Sequence, residues 1–426
     1  MRGAKRARVV VIGAGFGGLS VARALRRREV DVVLVDQHNY HLFTPLLYEV
    51  GTALLDPSEI AYPVRGIFHR VANVDFKVGR VTAIDIASRT VRTDEGDLVY
   101  DYLVVAAGSV NNFFGNHGAA RHAFALKDLG EALALRNHVL ARFEEASWAD
   151  DPAIRRRLMS FVVVGGGPTG VEFAGALSEL IHLVLRKDFP RLQLAEVEVH
   201  LVEAVDHVLG AFDTRLQEWA VARLRRMGIE VRLGAAVAEI DGGRVRLRDG
   251  TVIEASTVVW TAGIKASGLA AQLGVELGRG GRVPVGPNLQ LSGHDEVFVI
   301  GDMAQAVDPA GQPLPQLAAV AMQQGRAVAR AIRAIEKGDP PKPFRYVNKG
   351  TLATIGRNAA VVQVGRLRVT GFVGWVTWLT IHLILLINFR SRILVLINWA
   401  YDYFFYDRPV RLIVKATREA RENESG

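Results

Sequence analysis

Val9-Val10-Val11-Ile12-Gly13-Ala14-Gly15-Phe16-Gly17-Gly18-Leu19-Ser20 decides how the chain is read. A β-branched run breaks into G-x-G-x-x-G and then into a helical pattern, as at the first turn of a dinucleotide-binding βαβ unit. Gly13 permits the tight turn, Gly15 leaves room for a pyrophosphate at the helix N-terminus, and Gly18 lets helix and strand pack closely. The next strand, Asp31-Val32-Val33-Leu34-Val35, ends on Asp36, placed to hydrogen-bond a ribose hydroxyl. Because strand, glycines, helix, strand and acid occur in order, the stretch predicts a bound dinucleotide.

The device recurs. Phe161-Val162-Val163-Val164-Gly165-Gly166-Gly167-Pro168-Thr169-Gly170-Val171-Glu172 is a second such unit, and the strand Val197–Val202 closes on Glu203. Two units imply two dinucleotides. Glu203 lies about 33 residues past the last glycine, so Leu183 to Glu196 is read as a longer helix end and loop. A carboxylate there accepts from a ribose 2′-hydroxyl and repels a 2′-phosphate, which favours NADH over NADPH.

Between and after these units come further strands that end in small residues or an acid. Asp101–Gly108 meets Ala106-Ala107-Gly108, Thr257–Gly263 meets Ala262-Gly263, and Asp295–Ile300 runs into Gly301-Asp302, where parallel sheets bind ligands. Phe76–Ile84 and Thr90–Thr93 read as short antiparallel strands, and Asp56–Arg65 as a Ser-capped helix after an aromatic loop. Pro315–Arg326 opens a helix rich in small residues whose N-terminus suits an electron-rich ring. The fold class is therefore α/β with two Rossmann-like domains, divided as 1–115, 116–265 (inserted) and 266–345, with a carboxyl-terminal region 346–426.

Composition narrows the chemistry. The 426 residues are half hydrophobic, with 42 Gly and no Cys, which excludes disulfide scaffolds, thiolate metal sites and dithiol relays. No metal site is expected. Net charge is +8, and without a nucleic-acid motif the excess suits an anionic membrane surface. The basic start Met1–Arg6 precedes an apolar run that carries the glycine fingerprint, so it is read as mature, cytoplasmic strand.

From Gly371 to Phe389 the chain is almost wholly apolar, and Ile393–Tyr406 follows with Trp399, Tyr401, Tyr403 and Tyr406. A helix of that first length, about 28 Å, only just reaches a spanning length. With Arg390 and Arg392 between the runs and Arg366, Arg368, Arg408, Arg411 and Lys415 flanking them, the segments are expected to lie in the membrane interface. An apolar dimer contact or core packing, and a span, are the alternatives.

The order of these pieces resembles the type II NADH dehydrogenases, single-subunit NADH:quinone oxidoreductases of the two-dinucleotide flavoproteins. The likeness covers nearly the whole chain and is most specific at Tyr40–Tyr48, Ser58–Arg65, Gly165–Glu179, Gly301-Asp302, Lys349-Gly350, Ala353–Gly356, Trp378 and His382. It implies tightly but non-covalently bound FAD on Gly13, Gly15, Gly18 and Asp36, with Asp302 on the ribityl chain and Thr44, Leu46, Val81, Ala107, Gly108 and Ala318 around the rest. It implies NADH on Gly165, Gly167, Gly170, Glu203, Ala262 and Gly263, and a membrane quinone as acceptor.

Glu172, Gln323 and Lys349 match its catalytic positions, Glu172 in proton and quinone handling. Where the family often has Ala-Gln-x-Ala-x-Gln, this chain has Ala319 in place of the first Gln, which removes an amide that could hold a quinone carbonyl. The implied enzyme is a non-proton-pumping homodimer at the cytoplasmic face of the cell membrane. A soluble NADH-dependent flavin reductase of another acceptor, or a flavin-loaded redox sensor, is the alternative; sulfide:quinone chemistry resembles one run through cysteine sulfur, of which there is none.

Overall fold

A computed structural model describes residues 6–405, 408 and 410–414. By packing, the chain forms two compact units. One comprises the described parts of Met1–Leu42, Ala61–Asn111 and Ile264–Asn348; the other comprises Phe43–Ile60, Asn112–Gly263 and the described parts of Lys349–Gly426.

The first unit is built on a six-stranded sheet in the order Gln290–Leu291, His294–Val299, Tyr102–Val105, Ala7–Ile12, Val30–Asp36, Val74–Val78. Every neighbouring pair is parallel except the first, an antiparallel hairpin. Val9, Val10 and Val11 are wholly buried, as the unbroken β-branched run requires of a central parallel strand. The helix Phe16–Leu25 packs against the helix Ala318–Ile335. Val10 and Ile12 instead face an apolar core shared with Val105, Leu273 and Met303.

Phe76–Val78 departs from expectation: it belongs to the parallel sheet as its edge strand, and only Val81–Asp85 pairs antiparallel with Thr90–Thr93. Gly79 ends the edge strand, its N–H donating to the Asp36 carbonyl at 2.9 Å.

The second unit holds a five-stranded parallel sheet, Phe124–Ala125, Thr257–Trp260, Ser160–Val164, Glu198–Val202, Ile229–Arg232. The helix Pro168–Glu179 is prolonged by a π-helical stretch Leu180–Leu185 and by Arg186–Asp188, which accounts for the long separation between Gly170 and Glu203. Against Pro168–Glu179 pack the short helix Leu47–Gly51 and the strand Thr351–Thr354 of an antiparallel three-stranded sheet. Residues 43–60 and 349–405 thus join residues 112–263 by packing, whereas the four-way division by sequence set them apart.

The start of the helix Pro57–Ile60 is held by Asp56 rather than by Ser58: the Asp56 carboxylate accepts from the Ser58 N–H at 2.8 Å and from its hydroxyl at 2.6 Å.

The apolar carboxyl-terminal run is two helices, Gly371–Leu385 and Phe389–Phe405. Arg392 closes the first by donating to the Ile384 carbonyl at 2.7 Å and the Leu386 carbonyl at 3.0 Å, and the Asn388 side chain accepts from the Arg390 N–H at 3.2 Å at the start of the second. Among the described residues no helix is long and apolar enough to cross a membrane. Each of the two terminal helices buries one stripe of three residues spaced four apart, Gly374–Trp378–His382 and Ser391–Val395–Trp399. Outside those stripes Phe372, Val373, Ile384, Phe389, Leu396 and Phe404 are exposed.

Candidate active site

The two glycine turns share a bond plan. Gly13 has φ +97° and donates its N–H to the Val35 carbonyl at 2.8 Å; Gly165 has φ +112° and donates to Val202 at 2.9 Å. A Cβ on Gly18 would strike the Gly13 carbonyl, and one on Gly170 the Gly165 carbonyl. Gly15 and Gly167 differ in kind. Each is in extended backbone that any residue adopts, and a Cβ on either would meet nothing within 4 Å. Neither conformation nor packing asks for glycine there, and the open side of each leaves the backbone approachable from outside.

The strand-end acids lie beside these turns. Asp36 accepts from the N–H groups of Ala14 at 2.6 Å and His38 at 2.8 Å; Glu203 accepts from those of Gly166 at 2.5 Å and Val205 at 3.1 Å.

In the first unit Ala107 and Gly108 follow the strand Tyr102–Val105, and the Ser109 hydroxyl donates to Asp302 at 2.5 Å, joining both strand ends at one sheet edge. Asp302 is further placed by Gln316, whose amide donates to its carbonyl at 2.9 Å, and Ala318 begins the helix beyond. Val81 packs half-buried on the core. Gln323 is paired in both directions with the Val347 backbone, at 2.9 and 3.1 Å, so its amide holds that segment. Thr44, exposed, and Leu46, buried, fall in the second unit.

In the second unit Ala262 backs Gly165, whose Cβ would lie 2.7 Å from the Ala262 Cα, and Gly263 lies under the Phe114 ring. Glu172 follows two residues after Gly170. It is buried on Pro168–Glu179, accepts from the Thr354 N–H at 3.3 Å, and is approached by the Trp378 indole; burial pushes its carboxyl up to about 8. Trp378 stacks on His382 with ring centroids 4.0 Å apart, and burial keeps His382 neutral by lowering it to about 4. Lys349 stands exposed ahead of the strand Thr351–Thr354, and no lysine figures among the groups that act on Glu172 among the described residues.

The profile of the pyridine nucleotide-disulphide oxidoreductase family matches residues 7–325, and that of the NDH2 C-terminal domain matches residues 348–406. The type II NADH:quinone oxidoreductase Ndh of Mycobacterium tuberculosis is 41% identical over 414 residues, which span 94% of this chain and 88% of the relative. The chain belongs to the type II NADH:quinone oxidoreductases.

Another member, from Staphylococcus aureus, is 32% identical over 374 residues, 84% of this chain and 90% of the relative. In fold, the chain matches the structure of NDH2 from Plasmodium falciparum in complex with NADH, with a TM-score of 0.88 at 17% identity over 96% of this chain and 100% of that one. The sulfide:quinone oxidoreductase of Aquifex aeolicus matches less well, at 0.71 and 19% identity over 94% and 96% of the two chains.

Within this type II NADH:quinone oxidoreductase, two side chains beside the helix of Glu172 escaped sequence reasoning. Glu49 is buried in the apolar run Leu46–Val50, where a lone charged residue was the available signal, and Arg408 is 1% exposed. Arg408 was expected on the membrane-facing flank. Instead its guanidinium turns inward, donating to the Thr52 carbonyl at 2.8 Å and the Ala176 carbonyl at 3.3 Å. Arg368 and Arg411 are likewise paired, with Asp213 and Asp188, each at 2.8 Å. Lys415 lies outside the described residues.

Proposed function

We propose that the chain is a non-proton-pumping NADH:quinone oxidoreductase in which Glu172 handles the proton that accompanies quinone reduction. The observation that carries the role of Glu172 is its burial, two residues beyond the second glycine turn and beneath Trp378, which raises the carboxyl to about 8. FAD, when bound, would supply the redox chemistry that links NADH oxidation to quinone reduction.

The chain's own residues position and protonate. The turn at Gly13–Gly18 and Asp36 hold the ADP half of FAD, with Asp302 toward the ribityl chain and Val81, Ala107, Gly108 and Ala318 lining the remainder. Gly165, Gly167, Gly170, Ala262 and Gly263 hold NADH. Glu203 accepts from its ribose and repels a 2′-phosphate, which sets the preference for NADH. The aromatic cover of Trp378 and His382 excludes water, which keeps Glu172 protonated until a quinone oxygen takes its proton.

The exposed apolar strip of the two terminal helices lies on the cytoplasmic surface of the cell membrane and admits a lipid-soluble quinone. Arg366 and Arg390, both exposed, are the flanking cations for anionic lipid. Gln323 acts by fixing Val347, ahead of Lys349.

Purified yellow protein mixed with NADH and a short-chain quinone, followed at the NADH absorbance, tests the reading. Glu172→Gln should lower quinone turnover about 100-fold while NADH still bleaches the flavin; an undiminished Gln variant would remove Glu172 from the chemistry. Flotation with lipid vesicles should be lost in Phe389→Glu/Leu396→Glu. Self-association of that double mutant's parent without vesicle binding would assign the strip to a second copy instead.

A further inference from the structure

Each glycine turn is gripped at its middle residue from both ends, and the two grips differ. In the second turn that residue is Gly166, whose N–H donates to Glu203 at 2.5 Å and whose carbonyl accepts from the Leu209 N–H at 2.8 Å. In the first it is Ala14, whose N–H donates to Asp36 at 2.6 Å and whose carbonyl lies 2.7 Å from Nδ1 of His41. A side chain thus stands where the other turn uses a backbone N–H. The function assigned above does not use His41.

His41 is built into the first unit. Its strand, Tyr40–Leu42, pairs antiparallel with Ala61–Pro63, its ring meets Phe16 edge to face with centroids 5.1 Å apart, and the residue is 2% exposed. A carbonyl oxygen only accepts, so Nδ1 carries the ring proton and Nε2 is the bare nitrogen. Nε2 is buried and meets no hydrogen-bond partner among the described residues. A proton added there would create a charged donor that nothing receives. The groups around the ring do not relieve this. Arg23, on the helix Phe16–Leu25, adds a like charge; Tyr62 lies opposite on the paired strand; Asp36, held in turn by the His38 N–H, grips the far end of Ala14. Burial lowers the imidazole to about 4, with Arg23 acting in the same direction and the Ala14 hydrogen bond against it.

The Ala14 carbonyl and the Gly15 N–H are the two ends of one planar trans peptide, so they point in opposite directions. Turning the carbonyl toward His41 therefore turns the Gly15 N–H away from the ring, at the start of the helix Phe16–Leu25. We propose that His41 is a positioning residue for FAD, its neutral imidazole holding the Ala14–Gly15 peptide so that the Gly15 N–H can donate to the pyrophosphate. This rests on the reading above that places FAD on the first turn. Acid undoes the grip. A proton from water on Nε2 drives the ring toward solvent, the Ala14 carbonyl loses its donor, and the peptide is free to rotate. The second turn is held by a backbone N–H that does not titrate, so it keeps its hold on NADH.

The test follows FAD released from the holoenzyme between pH 7 and pH 5, read as flavin fluorescence in a protein-free filtrate, with circular dichroism reporting the fold. Wild-type release should speed up about tenfold over that range, because the ring titrates at its ordinary value once it is out and well below it while it is buried. His41→Leu fills the space without a donor. It should release FAD about tenfold faster than the wild type at pH 7, with no further acceleration by acid. His41→Gln restores an N–H toward the Ala14 carbonyl without a titrating nitrogen; it should hold FAD like the wild type at pH 7 and lose the acid acceleration. With FAD in excess, KM for NADH should be unchanged in both variants, a split that general loss of stability would not produce. The proposal is overturned if His41→Leu retains FAD as the wild type does, or if His41→Gln keeps the acid acceleration. Should His41→Leu fail to fold, the pH profiles of the wild type and His41→Gln decide. Gly15→Ala separates this role from the reading beneath it. Release at the wild-type rate there would overturn the place of FAD on the first turn; faster release there, beside unchanged release in His41→Leu, would overturn the role of His41 alone.

Discussion

At the second residue past the third glycine, the two nucleotide turns part ways. In the first unit that residue is Ser20, whose hydroxyl folds back onto the Phe16 carbonyl at 2.7 Å. The helix Ala318–Ile335 crosses so close there that a Cβ on Gly325 would lie 2.9 Å from that of Ser20. In the second unit the residue is Glu172, facing Thr354, Trp378 and the helix of Tyr48 and Glu49. The same backbone device is thus roofed once by a helix that tolerates only small groups, and once by aromatic and acidic side chains. The turn supplies binding; the roof decides whether chemistry can follow.

The most severe way to break this comparison is to fill the third glycine in each turn. Gly18→Ala and Gly170→Ala both place a Cβ on the carbonyl of their own loop, which cannot move without opening the turn. Each should lose about 3 kcal/mol of stability or more. The consequences should then separate. Gly18→Ala should yield colourless protein, whereas Gly170→Ala, where it folds, should stay yellow and fail to be bleached by NADH. Flavin absorbance and thermal melting together read both outcomes.

A smaller effect sharpens the difference between the roofs. Glu172 is raised from its ordinary value to about 8, so between those two values the folded state holds a proton that the unfolded state has released. Stability from this group is therefore greatest at acid pH and is lost as pH rises through the neutral range. Glu172→Gln should be about 2–4 kcal/mol more stable than the wild type at pH 9 and indistinguishable from it at pH 4. His41, beside the first turn, works in the opposite sense. Its Nδ1 is 2.7 Å from the Ala14 carbonyl, and burial lowers it to about 4, so the first unit should lose stability as pH falls below the ordinary histidine range. Melting curves of the wild type, Glu172→Gln and His41→Gln across pH 4–9 separate the two.

Most of the scaffold was legible because its requirements are local. A tight turn, a close crossing and a strand buried on both faces each demand a residue type at a fixed offset, and Gly13, Gly18 and Val9–Ile12 meet them within one stretch. The roof was not legible. Glu49, Tyr48, Trp399 and Arg408 come together only through tertiary packing, and the pattern that made Arg408 look like a surface cation is blind to the carbonyls of Thr52 and Ala176 that receive it. Phe76–Val78 was misplaced for a related reason: a short strand carries its propensity in sequence but its partner only in space, and here the partner was Val30–Asp36.

The gentlest test concerns the middle glycines. At Gly15 and Gly167 the backbone is ordinary and the space beyond is open, so Ala at either should change folding stability by no more than about 0.5 kcal/mol. If protein alone dictated these residues, the substitutions would be silent. If the open space is where a pyrophosphate meets the backbone, a methyl group there holds the phosphates off the helix N-terminus and weakens the charge-assisted bonds made to it. Gly15→Ala should then release flavin at least tenfold more readily, and Gly167→Ala should raise KM for NADH by a similar factor with kcat nearly retained. Equal affinities in the variants would mean that the two turns do not hold their nucleotides by close approach, whatever their glycines suggest.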